Sequence, residues 1–296
     1  MTLIDRAPEL GRPAGEQPLR GRARAGWLRR VRPGITLAWA VVVLLLIAVA
    51  FPGLLARQPP LAVRPAQSLL PPSLAHFFGT DQSGRDVFSR VVYGARESLS
   101  IGVAATAIGL GIAIVLGVAA GLGGRWADAV ISRFLEILFA FPSLLLALLF
   151  VAMFGAGVGS LIVAVGLGSA PGFARMIRGQ VIAVKRAPYV EAARVLGHPP
   201  WRILAGSIFP NAMRPLFVLG TLGVGQSIVW ASALSFLGLG AAPPAPEWGA
   251  MLAAGRDLIS TAWWLEFFPG AVIVATALAA TALGRHLQRR LEGRVA

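Results

Sequence analysis

The 296-residue sequence contains no cysteine, so it carries no disulfide framework, thiolate metal site or cysteine nucleophile. Charge is scarce. Asp, Glu, Lys and Arg make up 14% of the chain, against about 25% in an ordinary soluble domain. With 56% hydrophobic residues and a mean hydropathy of +0.72, too little polar surface remains to face water, which excludes a soluble enzyme. Lysine is nearly missing too: Lys185 is the single Lys, and every other basic residue is Arg. Lys185 stands between Val184 and Arg186, so no G-x-x-x-x-G-K-[ST] phosphate loop exists. If ATP drives the function, another subunit binds it.

What is present is a series of apolar runs: Ile35–Phe51, Ile101–Leu122, Ala129–Met153 interrupted by Pro142, Leu161–Met176, Leu216–Leu239 and Phe267–Gly284. Six spans of roughly 20 residues fit bilayer thickness. They must be helices, because backbone facing lipid has to satisfy its own hydrogen bonds. The expected organisation is all-α. A basic cytoplasmic tail 1–34 leads into a first transmembrane helix 35–52 and an extracytoplasmic loop 53–98. A five-helix core 99–285 follows, with a polar loop 178–214, and then a cytoplasmic tail 286–296. Ala48-Val49-Ala50 has the form of a signal-peptide cleavage site, but the arm before it is longer than such peptides carry.

Net charge is +14, and its distribution sets orientation. With both termini inside, 21 Lys and Arg fall on cytoplasmic pieces and 6 outside, as the positive-inside rule requires. The first outside loop holds five of those six and is the weak point. The Arg residues are spread over four cytoplasmic pieces instead of one patch interleaved with aromatics, which argues against nucleic-acid binding.

Within the second span, Ala105, Gly109, Ala113, Gly117 and Gly121 recur every four residues. This stripe of small side chains predicts close approach of another helix. In the fifth span, Gln226 lies in an apolar run beside Ser227 and Trp230. These residues either line a translocation path or pack in the bundle with one satisfied amide.

The polar loop reads Tyr189-Val-Glu191-Ala192-Ala193-Arg-Val-Leu-Gly197-His-Pro199-Pro200-Trp201, and continues through Ser207 and Phe209 to Pro210-Asn211. Glu191 to Leu196 predicts a short helix, Gly197 a left-handed cap, and Pro199-Pro200 a turn into a second helix. Such a hairpin either docks a soluble partner or lies in the membrane interface.

Here the residues resemble a family. Glu191, Ala192, Ala193, Gly197 and Pro210 match the E-A-A-x-x-x-G…L-P cytoplasmic motif of permease subunits in binding-protein-dependent ABC importers, with Ser207 and Phe209 replacing the usual Ile and Leu. Three further blocks resemble the dipeptide, oligopeptide and nickel permease group. They are Gly79-Thr80-Asp81 through Leu99, Arg133-x-x-Glu136 with Ala140-Phe141-Pro142-Ser143-Leu144, and Ser235-Phe236-Leu237-Gly238 with Pro243-Pro244-x-Pro246-Glu247-Trp248-Gly249. Together the blocks cover about 79–290, and the pattern is that of the second permease of a pair.

The resemblance implies a type I importer bundle in a bacterial inner membrane. A second homologous permease would complete a path for di- or oligopeptides or related solutes such as nickel chelates. An extracytoplasmic solute-binding protein would deliver the solute, and two cytoplasmic ATPases would receive the segment Glu191–Pro210. ATP and Mg would belong to those partners, and this chain would hold no cofactor or metal.

Other residues have plainer readings. Arg133 and Glu136 lie one turn apart, as an i,i+3 pair or in a gating role. Trp248, Trp263 and Trp264 suit an outer aromatic belt. His76, His198 and His286 are isolated in the sequence. The rival classes are a proton- or sodium-coupled secondary transporter and a membrane enzyme. The first needs ionisable groups deep in the bundle, where Glu136 is the one candidate. The second needs a convergent catalytic constellation, and none is recognisable.

Overall fold

The computed structural model describes residues 33–291. The expected tail 1–34, except its last two residues, and the end of the expected tail 286–296 lie outside the described residues. Among the described residues there are twelve α-helices and no strand beyond one bridge between Thr80 and Asp86. Five helical stretches are long and apolar enough to cross a bilayer: Pro33–Ala50 (α1), Val87–Leu122 (α3), Val158–Lys185 (α6), Pro200–Phe236 (α8 to α10) and Trp264–Arg290 (within α12). The pair Arg125–Ala140 (α4) and Ser143–Phe154 (α5), bent by 88°, makes the sixth when counted as one broken span. Pro142 sits at the bend, where its ring and missing N–H end helical continuity.

The second span begins at Val87, well before Ile101. Asp86 caps it by accepting from the Ser89 backbone N–H at 2.8 Å and the Ser89 hydroxyl at 2.7 Å. Hydropathy missed the first turns because their polar side chains are satisfied by protein. Buried Arg90 donates to the Ala245 carbonyl and lies 3.8 Å from Asp81. His76, isolated in sequence, is also buried, with Nδ1 2.9 Å from Asp86 Oδ1. The loop 53–86 is thus stitched to the N-terminal end of α3.

The aromatic-belt expectation fails for two of three tryptophans. Trp248 is fully buried, with Nε1 donating to the Val91 carbonyl at 2.9 Å. Buried Trp264 donates to the Thr80 carbonyl at 3.1 Å. Trp263 remains exposed. A buried indole requires an acceptor; the first turns of α3 supply one at Val91 and the preceding loop supplies the other at Thr80. Glu247, also buried, caps the short helix Trp248–Gly255 (α11) by accepting from Gly249 and Ala250, each at 2.8 Å. It takes further bonds from the hydroxyls of Ser98 and Ser235. One carboxylate therefore joins α3, α10 (Leu216–Phe236) and α11.

The small-residue stripe forms the central seam. Ala105, Gly109, Ala113, Gly117 and Gly121 are all buried, and α3 against α6 is the most extensive helix pair in the bundle. A Cβ added at Gly109 would lie 2.9 Å from the Gly166 carbonyl oxygen, and one at Gly121 would lie 2.6 Å from Val181 Cγ1. At these glycine positions no side chain larger than hydrogen fits without the facing helix shifting.

Candidate functional site

Two features answer to the residues singled out in sequence. The first lies where α3 ends, α4 begins and α6 ends. Pro188 opens the helix Pro188–Val195 (α7) at its first turn, and Gly197 at φ +76° ends it, with the His198 N–H donating to the Ala193 carbonyl at 3.2 Å. Pro200 starts the next helix, Pro200–Ile203 (α8). A π turn, Leu204–Ile208, then leads into Phe209–Met213 (α9). Pro210 explains the π turn: its ring clashes with an α-helical carbonyl four residues back, and one widened turn relieves this. The Asn211 side-chain amide donates to the Ser207 carbonyl at 2.7 Å.

This hairpin is anchored by fully buried Val190, with Ile203, Ile208 and Ala212 in the same cluster. Its other surface is apolar and exposed: Val195 at 84%, Leu196 at 76% and Trp201 at 70%. Glu191, Ala192, Gly197 and Pro210 are exposed and Ala193 is half-buried. Glu191 sits in the first turn of α7, where the helix dipole favours a carboxylate. It also lines a polar cleft of about 430 Å³ with Arg125, Asp128, Lys185, Arg186 and Arg194. The floor of the cleft is tied down. Arg178 grips Asp128 through two bonds, at 2.5 and 2.7 Å. Lys185 donates to the carbonyls of Gly121 and Leu122 at 3.5 and 3.3 Å, capping the end of α3. The Arg133–Glu136 pair forms at 3.3 Å but is exposed.

The second feature is a cavity of about 650 Å³ between α4, α6 and α10. Gln226 and Trp230 line it, together with Phe139, Phe173 and the bend at Pro142. Ser227 does not join them. It is buried against α3, accepting from Thr106 Oγ1 at 3.0 Å. Gln226 and Trp230 share a face because they are four residues apart, whereas Ser227 is turned about 100° away. Sequence reasoning missed Arg175, counted there among the cytoplasmic bases. Its guanidinium lies over the Phe139 ring, 4.3 Å from the centroid, on the cavity wall. The available signal was its place inside the apolar run Leu161–Met176. Among the described residues, no group of three or more His, Asp or Glu is arranged to hold a metal.

The comparisons with known proteins agree with this architecture. Residues 113–296 match the family described as binding-protein-dependent transport system inner membrane component. The chain is 39% identical over 284 residues to a glutathione transport system permease protein of Pectobacterium atrosepticum, covering 91% of this chain and 90% of that one. It is 37% identical over 270 residues to a probable D,D-dipeptide transport system permease protein of Escherichia coli K12, covering 91% of each. It is 41% identical over 248 residues to a dipeptide transport system permease protein of Alkalihalophilus pseudofirmus, covering 84% and 81%. Among solved structures, a methionine ABC transporter in an inward-facing conformation aligns with TM-score 0.56 at 18% identity, covering 70% of this chain and 97% of that one. An amino acid ABC transporter aligns with TM-score 0.55 at 18% identity, covering 68% and 94%. These matches support the ABC permease reading over an ion-coupled secondary transporter. Five helices long and apolar enough to cross a bilayer, with a sixth span if the bent α4–α5 pair counts as one, a close α3–α6 seam and a capped hairpin at the end of α6 are thus the features of a chain that belongs to the family of binding-protein-dependent transport inner-membrane components, as a permease subunit of an ABC importer.

Proposed function

We propose that this chain pairs with a second, related permease in a bacterial inner membrane to enclose a path for di- or oligopeptides or related solutes. Two cytoplasmic ATPases would bind the nucleotide and Mg, and an extracytoplasmic binding protein would deliver the solute. The peptide class is supported by the relatives, which are named for glutathione, D,D-dipeptides and dipeptides. In this reading Glu191, Ala192, Ala193, Gly197 and Pro210 belong to the ATPase contact. Gln226 and Trp230 belong to the path.

The observation that carries the reading is the exposed apolar surface of Val195, Leu196 and Trp201 on a hairpin otherwise anchored in the core. Large apolar side chains presented this way mark a partner site. Motion passes between the two ends only if the ATPases and the binding protein each favour one of two bundle states. The short, mostly helical path from the hairpin through α9 into α10 supplies a lever for that coupling.

The chain's lack of cysteine makes a direct test possible. In the assembled transporter, a photoactivatable thiol reagent on Leu196→Cys should capture an ATPase subunit. The same reagent on Leu74→Cys, 87% exposed in the loop before α3, should capture none. Equal capture, or capture only from position 74, contradicts the assignment.

A further inference from the structure

Among the described residues lining the cavity beside Gln226, Arg175 is the one charged side chain. Arg175 makes its contact with the face of Phe139, and the ion pairs among the described residues do not include it. A cation within a membrane-spanning segment is costly and is retained where it faces a cavity or a partner.

The simplest alternative is an arginine that snorkels to the cytoplasmic border. The geometry is against it. That border role is taken by Arg178, one turn further on, held by Asp128 near the start of α4. Phe139 lies eleven residues along α4 from Asp128, about 16 Å at 1.5 Å per residue. Helical side chains also lean toward the helix N-terminus, which for α6 is the end away from Lys185. Arg175, though exposed, is held at the cavity wall by its contact with Phe139 and not at the Asp128 pair.

We propose that Arg175 receives the carboxylate of the solute as it passes through the bundle, so that the permease itself recognises the C-terminal carboxylate of a small peptide. This rests on the peptide-class reading above. A guanidinium stacked on a ring is held by its face and keeps its in-plane N–H donors free, in the fork that matches a carboxylate. The rest of the wall is mostly aromatic and aliphatic, with Gln226 as a neutral polar partner. A few placed polar groups in an apolar cavity are what orient a small ligand, and low local polarity strengthens a charge-assisted bond.

The test uses the complete transporter in liposomes, with radiolabelled dialanine as the probe. ATP hydrolysis stimulated by the dialanine-loaded binding protein is measured in parallel. Arg175→Gln is expected to lower uptake by about tenfold or more, Arg175→Lys to recover most of it, and stimulated hydrolysis to stay at the wild-type level in both. Unchanged uptake by Arg175→Gln overturns the inference. So does equal impairment of both variants, which would assign Arg175 to holding Phe139 in place, and so does loss of stimulated hydrolysis together with uptake. A wild-type transporter that takes up no dialanine overturns the peptide reading and this inference together. Wild-type uptake with an unaffected Arg175→Gln overturns the inference alone.

Discussion

Gly117 of α3 stands directly against Ile177 of α6: a Cβ built on Gly117 would lie 2.9 Å from the Ile177 Cβ and 2.8 Å from the Ala174 carbonyl oxygen. Backbone on the facing side has no room to retreat without parting the two helices. Gly117→Val should therefore lower stability by about 1–3 kcal/mol through overpacking. Gly111→Ala, with nothing within 4 Å of its added Cβ, should be neutral or slightly stabilising. Thermal unfolding of the detergent-purified variants compares the two, and equal behaviour would remove the seam from the account.

Buried Glu247 accepts four hydrogen bonds from three parts of the chain. Glu247→Ala removes the α11 cap and leaves the Ser98 and Ser235 hydroxyls without this acceptor. A loss of at least about 2 kcal/mol is expected, seen as a lower unfolding temperature. Glu247→Gln, which retains one carbonyl oxygen, should fall between Ala and wild type. An unfolding temperature unaffected by Glu247→Ala would mean that α3, α10 and α11 are held together by other contacts.

The Asp128–Arg178 pair joins the start of α4 to the end of α6, and each side chain is 31% exposed. Solvent limits such a pair to about 1 kcal/mol. A double-mutant cycle with Asp128→Asn and Arg178→Gln, read by chemical unfolding, should return a coupling near that value. A coupling indistinguishable from zero would show that the two elements are joined by packing alone.

Much of this fold was legible in the residues. The every-fourth small stripe on α3 became the α3–α6 seam because period and residue size together define a face. Gly197 became a left-handed cap because glycine is the residue that conformation favours. Other features were illegible for a common reason: hydropathy records a side chain's preference for water and not what the fold puts beside it. Arg90 and Ser98 read as loop, and each is buried in the first turns of α3. Trp248 and Trp264 read as belt residues, and each found a backbone acceptor from a distant segment. Arg175 was counted with the charges of the polar segment, and its place on the cavity wall over Phe139 is a neighbourhood that a count of charges by loop does not show. Ser227 read as a neighbour of Gln226, which it is in sequence and not on the helix.

The cleft residue Glu191 offers a charge test of the hairpin. Glu191→Lys adds a cation among Arg125, Lys185, Arg186 and Arg194 and opposes the dipole of α7. It should abolish uptake while leaving membrane insertion intact, as read by transport assay and by the amount of chain recovered in membranes. Normal uptake would assign the carboxylate to helix capping only.

The central claim is that work done on nucleotide in other subunits reaches this bundle through the hairpin from Pro188 to Pro210. ATP-driven uptake by reconstituted transporter carrying Gly197→Pro measures it most directly, since Gly197 adopts φ +76° and proline holds φ near −65°. The account predicts a chain that inserts normally and a transporter with no ATP-driven uptake. Uptake at the wild-type rate would contradict it.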